Sequence, residues 1–260
     1  MIRQAGEEAL ILEMVHAIRY HHPRMGTRKL LHKMWSQLAQ RGISLGRDAL
    51  FDLLRRHDLL VQPKRRRTIT TRSGLWRCPN LLPELTLVGP YQLWVGDITY
   101  LTLETGFAYL ALLTDAYSRF IVGFDLSLSL AVEGCQRALK CALQQATSPL
   151  VGLIHHSDRG VQYLSIRYAE RLAEVGIESS VGSVGDSFDN ALAETINGLY
   201  KTEVIRQQDP WRNIEDVEFA TLTWVDWFNN RRIAERIGNV PPTEMEIEYY
   251  QQLEGSAMAA

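Results

Sequence analysis

Three carboxylates in this sequence are placed to share a cation site. Asp158 closes a short apolar run in VGLIHHSD, Glu194 follows thirty-six positions later inside a stretch that reads as a helix, and Asp97 lies in QLWVGDITYL. Two carboxylates at strand ends facing a third on a rigid helix form an all-oxygen donor set, which suits a hard divalent ion such as Mg²⁺. Each has an ordinary alternative when taken singly. Asp97 could be a surface carboxylate on the open face of a strand, and Glu194 a solvated helix residue. Asp158 could belong to an Asp-Arg-Gly turn in which Gly160 takes a positive φ. Their order and spacing together favour one shared site.

The elements that must position these groups follow from the pattern around them. Residues 190–205 hold no proline and a single glycine, Gly198, and read as a helix with Asp189 as its N-cap. At about 100° per residue, Leu192, Ile196 and Leu199 share one face and Glu194, Asn197 and Lys201 the opposite one. SVGSVGDS, with Gly182 and Gly185, forms a loop beside the site. Asp186 and Asp189 flank the helix, and Asp115, which ends a strand and starts a turn, reads as structural.

Strands are expected at 94–103, 107–114 and 120–128, with a hairpin turn at 104–106. A helix at 131–146, a short strand at 151–155, a helix at 166–175 and a strand at 177–181 then lead to the Glu194 helix. Three antiparallel strands followed by strands alternating with helices make an α/β mixed sheet flanked by helices. Upstream, residues 1–62 read as three short helices: one broken at Pro23, one capped by Thr27 and ended by Gly42, and one over 47–60 with Leu50, Leu53 and Leu54 inward. Between the two modules, residues 63–88 form an Arg-rich linker containing Lys64, Arg65, Arg66 and Arg67.

Charge divides along the same line. Residues 1–80 carry sixteen Lys/Arg against six Asp/Glu, a net +10, and residues 81–260 carry twelve against twenty-four, a net −12. The basic end suits phosphates, and the acidic end would need cations before a nucleic acid could approach it. The cysteines Cys78, Cys135 and Cys141 form no CxxC pair, which argues for free thiols and against a zinc site. No apolar run approaches the roughly 18 to 20 residues of a membrane span, and an acidic N-terminus replaces a signal peptide, so the expectation is a cytoplasmic protein with no membrane partner.

At WVGDITYL, YLALLTDAYSRFIVGFDLS, HSDRGVQY, GSVGDSFDNALAET and WFNNRRIAERIGNVPPTE the sequence resembles the transposases of bacterial insertion sequences of the second-reading-frame type, whose core is retroviral-integrase-like. PRMGTRKLLHKM and GISLGRDALFDLLRRHDLL resemble the helix-turn-helix-like region that precedes that core. The resemblance implies a ribonuclease-H-like catalytic core over 89–260 with a C-terminal helical tail, behind a DNA-binding domain at 1–62. It also implies that Asp97, Asp158 and Glu194 hold two Mg²⁺ or Mn²⁺ ions for DNA cleavage and strand transfer, with Lys201 against the DNA near the reacting end. His156, in the family's HSD, could orient the site or simply pack. Arg28, Lys29, the cluster 64–67 and the tail's Arg231 and Arg232 are candidate DNA contacts, although Ala234 stands where the family often has a histidine. The implied partners are double-stranded DNA (terminal inverted repeats and target), further copies of the chain on paired ends, and in some cases a fused upstream reading-frame product. Two other readings remain: a regulatory DNA-binding fragment without catalysis, and a ribonuclease-H-type nuclease that cuts RNA–DNA hybrids without joining.

Overall fold

The computed structural model describes residues 2–61, 79–82, 85–158, 160, 162–182, 190–208 and 210–259, those at 2–5 and 257–259 by backbone only. The chain forms two compact units, Met1–Arg67 and Thr68–Ala260.

The first unit is three helices, α1 (Ile2–His21), α2 (Thr27–Gln40) and α3 (Arg47–Arg56). Ile11, Val15, Leu30, Met34, Leu38, Leu50, Leu53 and Leu54 are buried together at the helical spacing the sequence shows. Full burial of each such side chain contributes about 1.5–3 kcal/mol. Thr27 is the first helical residue of α2 and not its cap: extended Gly26 holds the N-cap position without a side-chain bond. Gly42, at φ 67, ends that helix as expected. The Arg19 guanidinium donates to the carbonyls of Met25 and Leu59 and so ties α1 to both later turns.

The second unit is built on a five-stranded sheet in the order β3-β2-β1-β4-β5: β1 (Leu93–Leu103), β2 (Gly106–Asp115), β3 (Ile121–Ser127), β4 (Ile154–Ser157) and β5 (Glu178–Val181). The first three strands pair antiparallel, and β4 joins β1 in parallel before pairing parallel with β5. One face is covered by α4 (Val132–Gln145) and α5 (Ile166–Glu174) around Trp94, Leu113, Val122, Leu139 and Tyr168. The other is covered by α6 (Ala191–Glu203) and α7 (Ile214–Asn230), packing Tyr200, Trp224 and Phe228 onto Leu101, Leu110 and Leu112. α8 (Pro242–Ala259) follows, linked to the core where Ser118 Oγ donates to Glu246 and where the Ser148 and Tyr250 hydroxyls meet at 2.8 Å. The mixed sheet between helix layers is the ribonuclease-H-like α/β fold.

Boundaries shift where local chemistry decides them. The strand expected at 151–155 begins instead at Ile154, because Val151 and Gly152 make a turn with Gly152 at φ 82. Part of the expected linker packs on the core: Leu82, Leu85 and Leu87 lie against Leu93 and Val95, and Val181 N–H donates to the Pro79 carbonyl. Gly123 is needed for close approach of α4 to β3, since a Cβ there would stand 2.3 Å from the Ala138 carbonyl oxygen.

Candidate active site

Strand alternation settles which groups can meet. Along β1, Val95 and Asp97 point to the α6 side, and Trp94 and Gly96 to the α4 side. Because β4 runs parallel to β1 with Val95 opposite His156 and Gly96 opposite Ser157, the chain leaving β4 delivers Asp158 beside Asp97. From above, Asn197 of α6 donates through Nδ2 to Asp97 Oδ2 at 2.7 Å, while Ile98 N–H donates to Oδ1 at 2.8 Å. Asp158 Oδ1 accepts from Gly160 N–H at 2.9 Å. Gly160 is small because a Cβ there would come to 2.8 Å from that same oxygen.

The electrostatics mark this pair out. Burial pushes the Asp97 carboxyl up to about 7, the neighbouring Asp158 charge pushes it the same way, and the hydrogen bonds from Asn197 and Ile98 only partly offset them. Glu194 adds a smaller upward push, which places its charge within reach of Asp97. Asp158 is itself raised by burial, against the Gly160 N–H that favours its ionised form. Half-buried Lys201 is lowered by burial, and Asp97 is the anion that counters this. Carboxylates this close, with few donors, suit a hard cation.

The sequence-derived candidates are distributed unevenly around this centre. Asp97, Asp158 and Lys201 converge, and Glu194 is exposed on the first turn of α6. Among the described residues, no three acidic, histidine or cysteine side chains stand close enough to share one ion. His156 is buried, with Nδ1 at 2.9 Å from Ser180 Oγ. Arg231 is exposed, whereas Arg232 is tied in a half-buried ion pair to Glu203 at 2.9 Å and stacks over Phe228. Arg28 is exposed and Lys29 half-exposed on α2. Lys64, Arg65, Arg66, Arg67, Cys78, Gly185, Asp186 and Asp189 lie outside the described residues. The described cap of α6 is Asn190, which makes no side-chain cap bond.

Asn197 is the residue that sequence reasoning placed on the open face without a task. It is buried, and the buried side of α6 is centred on Ala193, Ile196, Asn197 and Tyr200, with Leu192 and Leu199 only half-buried. The available signal was its spacing: three residues after Glu194 puts it on the neighbouring turn of the same helix side.

A five-stranded mixed sheet with helices on both faces, carrying Asp97 in β1 and Asp158 just past the end of β4, places the second unit in the ribonuclease-H-like α/β class. Known proteins narrow this. The chain matches the Integrase core domain family over residues 88–187 and again over 175–242. It is 44% identical to a Mycobacterium tuberculosis protein assigned as the transposase of insertion sequence element IS986/IS6110, over 95% of this chain and 89% of that one. It is 42% identical to the transposase of insertion sequence element IS629 from Shigella sonnei, over 88% and 77% of the two chains. The cryo-EM structure of a simian T-cell lymphotropic virus intasome, in complex with a PP2A regulatory subunit, shares the fold at 14% identity, with a TM-score of 0.52 over 88% of this chain and 73% of that one. The chain belongs to the DDE-type transposases of bacterial insertion sequences.

Proposed function

We propose that this transposase cuts and joins DNA at the ends of its insertion sequence, using Asp97, Asp158 and Glu194 as the reacting-site carboxylates. The observation that supports this most is the convergence of Asp97 and Asp158 beneath α6, with Asp97 pushed up to about 7 by burial and by its acidic neighbours. Such a cluster is costly without a counter-ion and becomes favourable with one. Asp97 and Asp158 would hold divalent ions from the sheet and Glu194 from the helix. Two Mg²⁺ or Mn²⁺ ions held there would supply a lowered pKa for the attacking water or 3′-hydroxyl and charge stabilisation for the leaving oxygen.

The remaining roles belong to the chain's own residues. Asn197 fixes one oxygen of Asp97, so the other keeps a defined direction. Lys201, two turns after Glu194, would bind a phosphate of the DNA end, its charge sustained by Asp97. Exposed Arg231 and Arg28, together with Lys29, would position the backbone, as would the cluster 64–67. Terminal inverted repeats and target DNA are the substrates in this reading, held by several copies of the chain on paired ends, and residues 1–62 form the DNA-binding domain.

The test is a joining assay with a labelled duplex carrying the element's end, in Mg²⁺ or Mn²⁺. Nicked and joined products should form with the wild type and vanish in Asp97→Asn, Asp158→Asn and Glu194→Gln. Cleavage of an RNA–DNA hybrid without any joined product would instead identify a nuclease. One observation favours a second reading, in which catalysis waits on a product fused from an upstream reading frame: Glu194 is exposed and, among the described residues, does not close with the aspartate pair into a three-carboxylate cluster. End binding without cleavage in either metal would support it.

A further inference from the structure

The N-terminal unit carries two helices that could face a nucleic acid, and their surfaces differ in chemistry. α2, TRKLLHKMWSQLAQ, contains no acidic residue and buries Leu30, Met34 and Leu38. On the exposed side Trp35, Arg28 and His32 fall within about 60° of one another, and Lys29 and Lys33 lie further round the helix, about 120° and 160° from Trp35. Trp35 is 63% exposed and, among the described residues, makes no hydrogen bond or ring contact. Neither Lys33 nor Arg41, which caps the helix, forms an ion pair with any described residue.

On α3 the positive charge is already matched. Arg47 pairs with Asp48 at 2.8 Å and Arg55 with Asp52 at 2.9 Å, while Arg56 and His57 share Glu8 of α1. The one large apolar side chain exposed there, Phe51, lies under the Arg55 guanidinium at 4.9 Å. Asp48 and Asp52 stand on the same exposed side as Arg47, Phe51 and Arg55, so a duplex laid on α3 would bring phosphates against two carboxylates.

We infer that the N-terminal unit engages duplex DNA through the exposed face of α2, with Trp35 packed on sugar and base edges and the flanking cations on phosphates, while α3 buttresses α2 from behind. This deepens the transposase reading and rests on it. The occupant is set by charge and shape: a face of α2 with no acid of its own, with cations across it and a bare indole along one edge, matches a polyanion that also offers flat apolar edges.

The test uses the full chain and a fluorescein-labelled duplex from the element's end, with metal chelated so that binding alone is read. Trp35→Ala should weaken binding by about tenfold or more, and Trp35→Phe should recover most of it. Lys33→Gln should lower the slope of log affinity against log salt by about one. Arg47→Gln and Arg55→Gln should stay within about twofold, because their charge is already matched inside the unit. Circular dichroism of Trp35→Ala should match the wild type, since the side chain is exposed. If Trp35→Ala binds as the wild type does and Arg47→Gln or Arg55→Gln loses affinity, α3 is the reader and the inference is overturned. Trp35→Ala binding DNA normally but losing self-association in sedimentation would assign the stripe to a protein contact and also overturn it. A wild type that binds no end duplex would sink the transposase reading itself, a different result from either.

Discussion

Two acidic clusters in the second unit carry carboxyls raised by burial, and they are resolved in opposite ways. Asp115, at the end of β2, accepts from the backbone N–H groups of Tyr91, Tyr117 and Ser118 at 2.8–2.9 Å. Ser118 Oγ joins it to Glu246 of α8, whose carboxyl is pushed up to about 7, chiefly by burial. Asp97 has one amide and one backbone N–H, and beyond them it faces Asp158, with half-buried Lys201 as the nearby cation. A buried carboxylate ringed by donors has its charge answered within the protein and serves the fold. One left facing another carboxylate, with a single half-buried lysine, Lys201, as the nearby cation, has its charge only partly answered within the protein. On the proposed reading, that difference separates an acid that staples a turn from one that takes up a cation.

Breaking each cluster should therefore produce different failures. The largest effect is expected for Asp97→Asn and Asp158→Asn: strand joining should fall by about three orders of magnitude or more. The metal-free protein should remain as stable as the wild type or become more so, as a urea titration would show. Next, Asp115→Ala should cost about 2–4 kcal/mol in that titration, because three N–H groups, one buried and two half-buried, lose their acceptor. Joining per folded molecule should be unchanged, and a specific loss of joining there would blur the comparison. Smaller again, Asn197→Ala should weaken Mn²⁺ binding by about tenfold, read by electron paramagnetic resonance, since a residue that orients a ligand acts through that ligand.

The pH dependence sharpens the contrast further. Unfolded, Asp97 and Glu246 titrate near 3.8 and 4.5; folded, both hold a proton up to about 7. The folded state thus binds more protons between those limits, so stability is full below about pH 4 and declines as pH rises through about 7. Saturating Mg²⁺ should flatten the part due to Asp97 and leave the part due to Glu246, which Glu246→Gln alone should remove. Equal flattening of both parts would mean that the two clusters are not distinct.

Much of this arrangement was legible in the sequence because it is local. The alternation in WVGDITYL, the apolar run before Asp158 and the helical stretch holding Glu194 each report their own element. Asn197 was not legible, since its task depends on which strand lies beneath α6, and a helix pattern says nothing about its neighbour. The same limit hid the true centre of that helix's buried face and the ion pair that draws Arg232 inward to Glu203. The start of β4 was misplaced because Val151 looks like a strand residue until Gly152 takes its left-handed turn. Asp48 and Asp52 were visible, but their pairing with Arg47 and Arg55 is a matter of geometry that composition does not carry.

The most direct test of the cation account is a crystal of the full chain soaked in Mn²⁺ and measured at a wavelength where manganese scatters anomalously. The account predicts an anomalous peak between the Asp97 and Asp158 carboxylates, lost in Asp97→Asn, with none at Asp115 or Glu246. A peak at the Asp115–Glu246 cluster, or an empty Asp97–Asp158 pair at millimolar Mn²⁺ with DNA bound, would contradict it.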